Sequence, residues 1–464
     1  MTLPSRVQKV LDDWHINYSV SQASPSMSNE PSSDSLSNNL TQLAILEDEL
    51  GQVQVIYPAH RILDLNKMQA QTTRSFTAMD HAKVEKIRQG LNLEAIPALP
   101  QVTGFETFVD ASLLQQDDIV MLLGKEHELH IGKTDFQTLI GNARIGEYCV
   151  DIPSTQIPGA QWAQKDQQEI HHAIKNFTEL RIHQRLEETL DMPPMPETAQ
   201  RIIDLRMDED AETEELAILV ERDPGLSAQV ISWANSPYYG VSGSITNIQE
   251  AVIRVLGFDL VINLALGLSL GRTLSVPKAG PRGYLPYWQQ SVYCAALMAE
   301  LCKTLPRENR PSQGLAYLSG LLHNFGYLIL GHVFPPHFLM VNRHIDANPN
   351  VNRYFIEQHL LDITREQISS SLLKQWHLPE DVCRAIRYQN EPNYIGEDHI
   401  LSGLLFVTSR LLRQQQMNDS PLEAIPQSII HRLGLDMTMA QEALERVMDA
   451  KDDLQEMARQ LDQG

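Results

Sequence analysis

Residues 191–257 read DMPPMPETAQRIIDLRMDEDAETEELAILVERDPGLSAQVISWANSPYYGVSGSITNIQEAVIRVLG, a run of short helices with their ends written into the sequence. Pro196 suits a first helical turn, where a missing N–H costs nothing. Ala199, Ile202 and Ile203 follow at helical spacing. Asp223-Pro224 reads as an N-cap followed by proline at the first helical position, with Leu226, Val230 and Trp233 as one apolar stripe. Asn247 and Glu250 are spaced to close a capping box ahead of Ala251, Val252, Val255 and Leu256, and Gly257 suits a C-cap.

The ordered pieces MPPMPETAQRI, ERDPGLSAQVISWANSPYYG and NIQEAVIRVLG resemble the HDOD family, all-α relatives of the HD-type metal phosphohydrolases found in bacterial signal transduction. The resemblance runs from about Leu190 to about Leu412. It implies a helical bundle and a signalling context, and it does not imply catalysis.

Two or three domains are expected in 464 residues. A formal net charge of −22 argues against binding phosphate backbones, and no Lys/Arg run is visible. Cys149, Cys294, Cys302 and Cys383 are scattered without zinc-type spacing, so a reducing cytoplasm is the expected compartment. The start, MTLPSRVQKVLDDWH, has no apolar core of signal-peptide length. Ala251–Leu270 carries Arg254, Asp259 and Asn263, which fits a buried helix pair better than a membrane span.

The N-terminal part mixes strands with helices. Val7–Trp14 is helix-like, and residues 21–42, SQASPSMSNEPSSDSLSNNLTQ, have the composition of a loop. LAILEDELGQVQVIYP predicts a β-hairpin turning at Glu47–Gly51. FETFVD, IVMLLG and HELHIG are strand candidates, with helices at Asp80–Gln89 and Thr134–Ile140. PSRVQKVLDDWHINYSV, VIYPAHRILDL, EAIPALP with FETFVDASLL, and IVMLLGKEHELHIGKTDF resemble the YbaK-type aminoacyl-tRNA deacylase fold. The expected fold class is therefore multidomain, an N-terminal α+β domain with a YbaK-like mixed sheet followed by an all-α HDOD bundle. The expected boundaries are residues 1–150 for the α+β domain, 151–189 for a linker with a connecting helix, 190–412 for the HDOD domain, and 413–464 for two C-terminal helices.

Both resemblances expose gaps in the chemistry. HD-type enzymes hold a divalent ion with a histidine, an adjacent His-Asp pair and a distal aspartate, because anionic oxygens offset the cost of dehydrating the ion. Trp288-Gln289-Gln290-Ser291 stands where Trp-x-His-Ser is expected, and Gly320-Leu321-Leu322-His323-Asn324 where Gly-Leu-Leu-His-Asp is expected. Thr408-Ser409 takes the place of the distal aspartate, and Gln389-Asn390 that of a further histidine pair. Of the degenerate positions Gln290, His323, Asn324 and Ser409, only His323 retains a ligand type. It reads more simply as a core histidine, with Gln290 and Asn324 bonded to each other or to it. Active YbaK-type deacylases use a lysine near the strand before the hairpin. Here no lysine lies between Lys9 and Lys67, and Lys125 and Lys133 read as solvated surface charges.

No catalytic residue, metal or cofactor is therefore expected. The leading reading is a non-catalytic regulatory protein of the bacterial cytoplasm that binds a protein partner, or a small ligand, through its HDOD domain. Asn235, Ser236, Tyr238 and Tyr239 are the candidate binding residues, because polar and aromatic groups on a turn suit recognition; the plainer role of that turn is to end a helix. The alternatives are a phosphohydrolase with atypical metal ligands, an aminoacyl-tRNA editing hydrolase, and a nucleotide sensor without turnover.

Overall fold

The protein is described by a computed structural model. It describes residues 3–22, 39–124, 127–152, 166, 168–170, 172–173, 194–208, 210–240, 243–277, 280–281, 285–418 and 424–462. The chain forms two compact units. One comprises residues 1–155, 280–283 and 339–360; the other comprises 156–279, 284–338 and 361–464.

The first unit is built on a mixed sheet. Its strands are β1 (Tyr18–Gln22), β2 (Leu40–Asp48), β3 (Gly51–Pro58), β5 (Thr77–Ala78), β6 (Glu106–Asp110), β7 (Asp118–Leu122), β8 (His127–Gly132) and β9 (Arg144–Gly146). The order is β1-β8-β7-β2-β3-β6-β9, with β5 added to β2, while β4 (Arg61–Leu63) and β10 (Cys149–Asp151) pair separately. β2 and β3 form the expected hairpin. Its turn is closed by Asp48 Oδ1, which accepts the Leu50 and Gly51 N–H groups at 3.0 and 3.1 Å, with Gly51 at φ 134°. Alternation along the strands feeds two cores. Ile56, Val109, Met121, Leu129 and Ile131 pack with Val7 and Leu11 of α1 (Ser5–Asp13) and Phe136 of α5 (Lys133–Leu139). Leu46, Val53, Val55 and Phe108 pack with Met68 of α2 (Leu65–Thr72). Helix α3 spans His81–Gly90 and the short α4 spans Pro100–Thr103.

The loop expected over residues 21–42 is narrower than its composition suggests. Ser21 and Gln22 end β1, and Leu40, Thr41 and Gln42 begin β2, because cross-strand hydrogen bonds accept polar side chains that the sequence reads as loop. Residues 23–38 lie outside the described residues.

The second unit is helical. Its helices are α6 (Glu197–Arg206), α7 (Thr213–Glu221), α8 (Pro224–Ala234), α9 (Ile248–Ala251), α10 (Phe258–Gly271), α11 (Tyr287–Thr304), α12 (Gln313–Leu322) and α13 (Phe325–Val333). After α14 (Pro335–Ala347) and α15 (Arg353–Leu361), most of whose residues group with the first unit, come α16 (Arg365–Gln375), α17 (Glu380–Arg387) and α18 (His399–Gln414). Asp223 caps α8 through the Leu226 N–H at 3.0 Å, and Leu226, Val230 and Trp233 are fully buried. Asn247 caps α9, but the Glu250 carboxylate bonds the Thr246 N–H, so only half of the expected box forms. Residues Val252–Leu256 make a π-helical turn that ends at Gly257, φ 78°. α10 begins directly after it, giving the expected buried helix pair.

Small residues let these helices touch. A Cβ at Gly320 would lie 2.6 Å from the Ala295 Cα, and one at Gly326 would lie 2.2 Å from the Arg365 carbonyl oxygen. Three C-terminal helices occur where two are expected: α19 (Gln427–Leu433), α20 (Met437–Asp449) and α21 (Lys451–Asp462). The last two are separated at Ala450, which caps α20 at φ −89°, ψ 14°. The part of the connecting helix that is described, at Asp166, residues 168–170 and residues 172–173, is helical; its remainder lies outside the described residues. No helix among the described residues is long and apolar enough to cross a membrane. All four cysteines are buried and outside disulfides, and burial raises the Cys302 and Cys383 thiols to about 11 and 12.

Candidate functional site

The positions read as degenerate metal ligands are all buried. His323 caps the end of α12 and Asn324 the start of α13, a junction made where the chain turns between two apolar helices. His323 Nδ1 lies 2.8 Å from the Gly320 carbonyl. A carbonyl only accepts, so the neutral ring carries its proton on Nδ1. The His323 carbonyl accepts from Gln389 Nε2 at 2.7 Å, and the same amide donates to the Ile386 carbonyl at 3.0 Å. Asn324 Oδ1 accepts from Arg365 Nη1 at 3.2 Å, and that guanidinium lies over the Tyr327 ring at 5.4 Å. Gln290 donates to the Leu285 carbonyl at 2.8 Å. The expected mutual bonds of Gln290, Asn324 and His323 therefore give way to separate backbone and guanidinium partners.

A second cation stands at the distal position. Arg410 Nη1 donates to Ser409 Oγ and to Asn390 Oδ1, both at 3.0 Å, and its guanidinium stacks on Phe406 at 3.8 Å. Asn390 in turn donates to Glu366 Oε1 at 2.9 Å. Thr408 turns back to the Leu404 carbonyl at 2.8 Å. The two arginines are almost wholly buried and keep their charge, since a guanidinium does not deprotonate in a protein. The locus thus offers an imidazole, four amides, two hydroxyls, the buried Glu366 carboxylate and two fixed positive charges. One carboxylate, already engaged by Asn390 in a locus with two guanidinium groups, does not suit a divalent ion, which needs several anionic oxygens. Among the described residues no group of three or more His, Cys, Asp or Glu side chains could hold a metal ion.

In the first unit, β2, the leading strand of the hairpin, holds the LAILED stretch and carries no lysine. Lys67 lies on α2 with Nζ 3.4 Å from the Cys149 carbonyl, and Lys133 opens α5 half-buried; Lys125 lies outside the described residues. The charge on this unit is organised elsewhere. Asp64 caps α2, accepting the Asn66 and Lys67 N–H groups at 2.8 and 3.1 Å, and its Oδ2 meets His359 Nε2 at 2.9 Å. His344 Nε2 accepts the Leu65 N–H at 3.1 Å while Nδ1 faces the Met340 carbonyl at 2.9 Å. Its 3.5 Å approach to Asp64 Oδ1 therefore joins two acceptors and is not a hydrogen bond. Burial favours protonation of Asp64, but the His359 ring and the Lys67 N–H outweigh it and hold the carboxyl far below the aspartate range. Sequence reasoning missed this cluster, in which residues separated by 279 and 295 positions meet. Only the N-cap spacing of Asp64 ahead of Leu65 signals it locally.

The HDOD domain family matches residues 192–392. A crystal structure of a protein from Marinobacter aquaeolei VT8, provisionally named a signal transduction protein, is 39% identical to this chain. The overlay covers 99% of this chain and 100% of that one, with a TM-score of 0.88. The chain belongs to the HDOD family. An uncharacterized protein from Treponema pallidum (strain Nichols) is 24% identical over 244 residues, which is 52% of this chain and 45% of that protein. The chain thus spans under half the length of this curated relative. A chain provisionally named a trans-editing enzyme for prolyl-tRNA synthetase matches 31% of this chain and 95% of its own length, at 15% identity and a TM-score of 0.24.

Within the HDOD domain, the turn after α8 holds the candidate binding residues. Asn235 clasps the turn, donating to the Ile231 and Ile245 carbonyls at 2.9 and 2.7 Å and accepting the Ile245 N–H at 2.8 Å. Ser236 accepts the Tyr238 N–H at 3.3 Å. The rings of Tyr238 and Tyr239 meet edge to face at 4.9 Å, and burial pushes both phenols well above their ordinary value. The four residues are brought together, with the polar side chains of Asn235 and Ser236 engaged by the turn itself.

Proposed function

We propose that this protein is a regulatory member of the HDOD family that acts by binding, with its HD-type locus used as packing and not as a metal centre. The observation that carries the reading is the pairing of Asn324 with the buried Arg365 guanidinium, where a catalytic site would need an aspartate and a metal. The provisional naming of the Marinobacter protein for signal transduction supports a regulatory role. The partner is a protein of a bacterial signalling pathway or a small ligand, taken up in the cytoplasm, and the turn at Asn235, Ser236, Tyr238 and Tyr239 is the recognition surface. The working domain limits are 1–150 and 190–412.

The test has two arms. Tag-free protein purified from cells grown with Mn, Fe, Ni and Zn is expected to carry none of them stoichiometrically. It is also expected to leave bis-p-nitrophenyl phosphate and cyclic dinucleotides intact. About one metal ion per chain that is lost on His323→Ala, together with phosphodiester turnover, overturns the reading.

A further inference from the structure

Three neighbouring strands of the first unit place a serine, a histidine and an aspartate in line. In the β1–β8 pair, Ser19 stands opposite His130 and Ser21 opposite Glu128; in the β7–β8 pair, Val120 stands opposite His130 and Asp118 opposite Gly132. The period of two in a strand puts Ser21, His130 and Asp118 on one face, each pair related as diagonal neighbours. Ser21 Oγ lies 2.8 Å from His130 Nε2, and His130 Nδ1 lies 3.0 Å from Asp118 Oδ2. The carboxylate only accepts, so the neutral ring carries its proton on Nδ1 and turns the Nε2 lone pair to the Ser21 hydroxyl. That is the arrangement in which a base activates a nucleophile while a third group fixes the ring's tautomer and direction.

We propose that Ser21, His130 and Asp118 form an acyl-transfer centre that hydrolyses activated carboxylic esters. Ser21 Oγ bonds to the ester carbonyl carbon as His130 Nε2 takes the hydroxyl proton. The tetrahedral adduct collapses, the bond to the leaving oxygen breaks, and the proton on Nε2 passes to that oxygen. Water then attacks the acyl-serine, giving a proton to Nε2; the bond to Ser21 Oγ breaks, that oxygen takes the proton back from Nε2, and the carboxylic acid departs. Ester and water go in; acid and alcohol come out. Asp118 touches neither substrate nor leaving group and is a positioning residue.

Exposure sets the substrate class. The His130 and Asp118 side chains are 26% and 44% exposed, and Ser21 is exposed. A wet site gives little added stabilisation to a developing oxyanion, so esters with good leaving groups, aryl esters above all, fit it and amides do not. Among the described residues β1 ends the sheet, so alternate peptide N–H groups point away from β8, where they can face a carbonyl oxygen. Glu128 Oε2 stands 3.9 Å from Nε2, beyond hydrogen-bond range, and leaves the Nε2 lone pair to the Ser21 hydroxyl.

The full chain is treated with a fluorophosphonate probe and digested for mass spectrometry, and p-nitrophenyl acetate hydrolysis is followed in parallel. Label on Ser21 and a burst of p-nitrophenol are expected, both lost in Ser21→Ala, His130→Gln and Asp118→Asn. Asp118→Glu should restore labelling, which a merely structural role for the carboxylate would not require. Ser19→Ala, on the same face, should label as wild type. Ser21 is exposed, so Ser21→Ala should keep its circular dichroism and melting curve. Hydrolysis that survives Ser21→Ala would mark an ordinary surface imidazole. That result, or label absent from Ser21 in the folded wild type, overturns the proposal.

Discussion

Asn324→Asp writes the missing His-Asp pair back into the HDOD domain, and the structure says it will not bring back a metal. The new carboxylate would sit where Asn324 Oδ1 now accepts from Arg365 Nη1 at 3.2 Å, inside a locus that is almost fully buried. At that distance, with an effective dielectric of about 20, its attraction to the guanidinium is about 5 kcal/mol. Dehydrating the carboxylate costs several kcal/mol. The two effects nearly cancel, so stability should change by no more than about 2 kcal/mol in either direction. The acid's charge is then taken up by Arg365, with Gln290 and Ser409 still neutral. Guanidinium melts of wild type and Asn324→Asp, elemental analysis of both, and phosphodiester hydrolysis are the assays. Arg365→Met provides the opposite perturbation: it leaves a buried amide oxygen without this donor, at a cost of about 1–3 kcal/mol. Stoichiometric metal or hydrolysis in Asn324→Asp alone would show that Arg365 does not hold the site, and the reasoning would fall.

Other consequences follow from packing and charge. Leu322 is fully buried beside His323, so Leu322→Ala should cost about 2–5 kcal/mol in a denaturant melt; a change near zero would place it on the surface and refute the helix register. Gly326→Ala forces a methyl towards the Arg365 carbonyl and should destabilise by about 1–3 kcal/mol, read the same way. Asp48 is held below its ordinary value of 3.8, chiefly by the Arg74 side chain, although burial opposes this. A depressed folded value means that its contribution is complete above the ordinary value and is lost as pH falls through the lower one. The stability gap between wild type and Asp48→Asn should therefore be constant near neutrality and close below about pH 4; a gap that widens on acidification would refute the Arg74 assignment.

The helical architecture was legible because its signals are local. Asp223-Pro224 announces a helix start within a few residues, and the apolar stripe behind it can be read off by spacing alone. The absence of ligand carboxylates could likewise be read position by position. What replaces them could not. Arg365 and Arg410 look like surface residues in sequence, yet they are buried with their guanidinium groups over Tyr327 and Phe406. Asp64, His344 and His359 carry no shared motif, because their meeting depends on how residues 339–360 join the first unit. Ser21 sat in a stretch read as loop from its composition, yet it ends a strand. Pairing with β8, not side-chain polarity, decides that, and with it the only route by which Ser21 could reach His130.

The stretch from Gly320 to Gly326 shows why an HD-like motif can persist without HD chemistry. Gly320 is required by the Ala295 backbone and Gly326 by the Arg365 carbonyl, constraints that hold with or without a metal. His323 bonds the Gly320 carbonyl through its ring and binds Gln389 through its own carbonyl, so it serves the helix junction directly. The catalytic positions answer to different demands. A metal centre needs negative charge gathered at one point; here the amides of Asn324 and Asn390 are tied to guanidinium groups of the opposite sign, and the one carboxylate, Glu366, is engaged by Asn390. A single restored acid meets a cation already in place. Recovering a metal would mean removing Arg365 and Arg410 while supplying Gln290, Asn324 and Ser409 with ligands, and each lone step leaves a buried charge or amide without its partner. A metal centre is therefore not recovered by any one of these substitutions alone, which is the ground on which the proposed binding role rests.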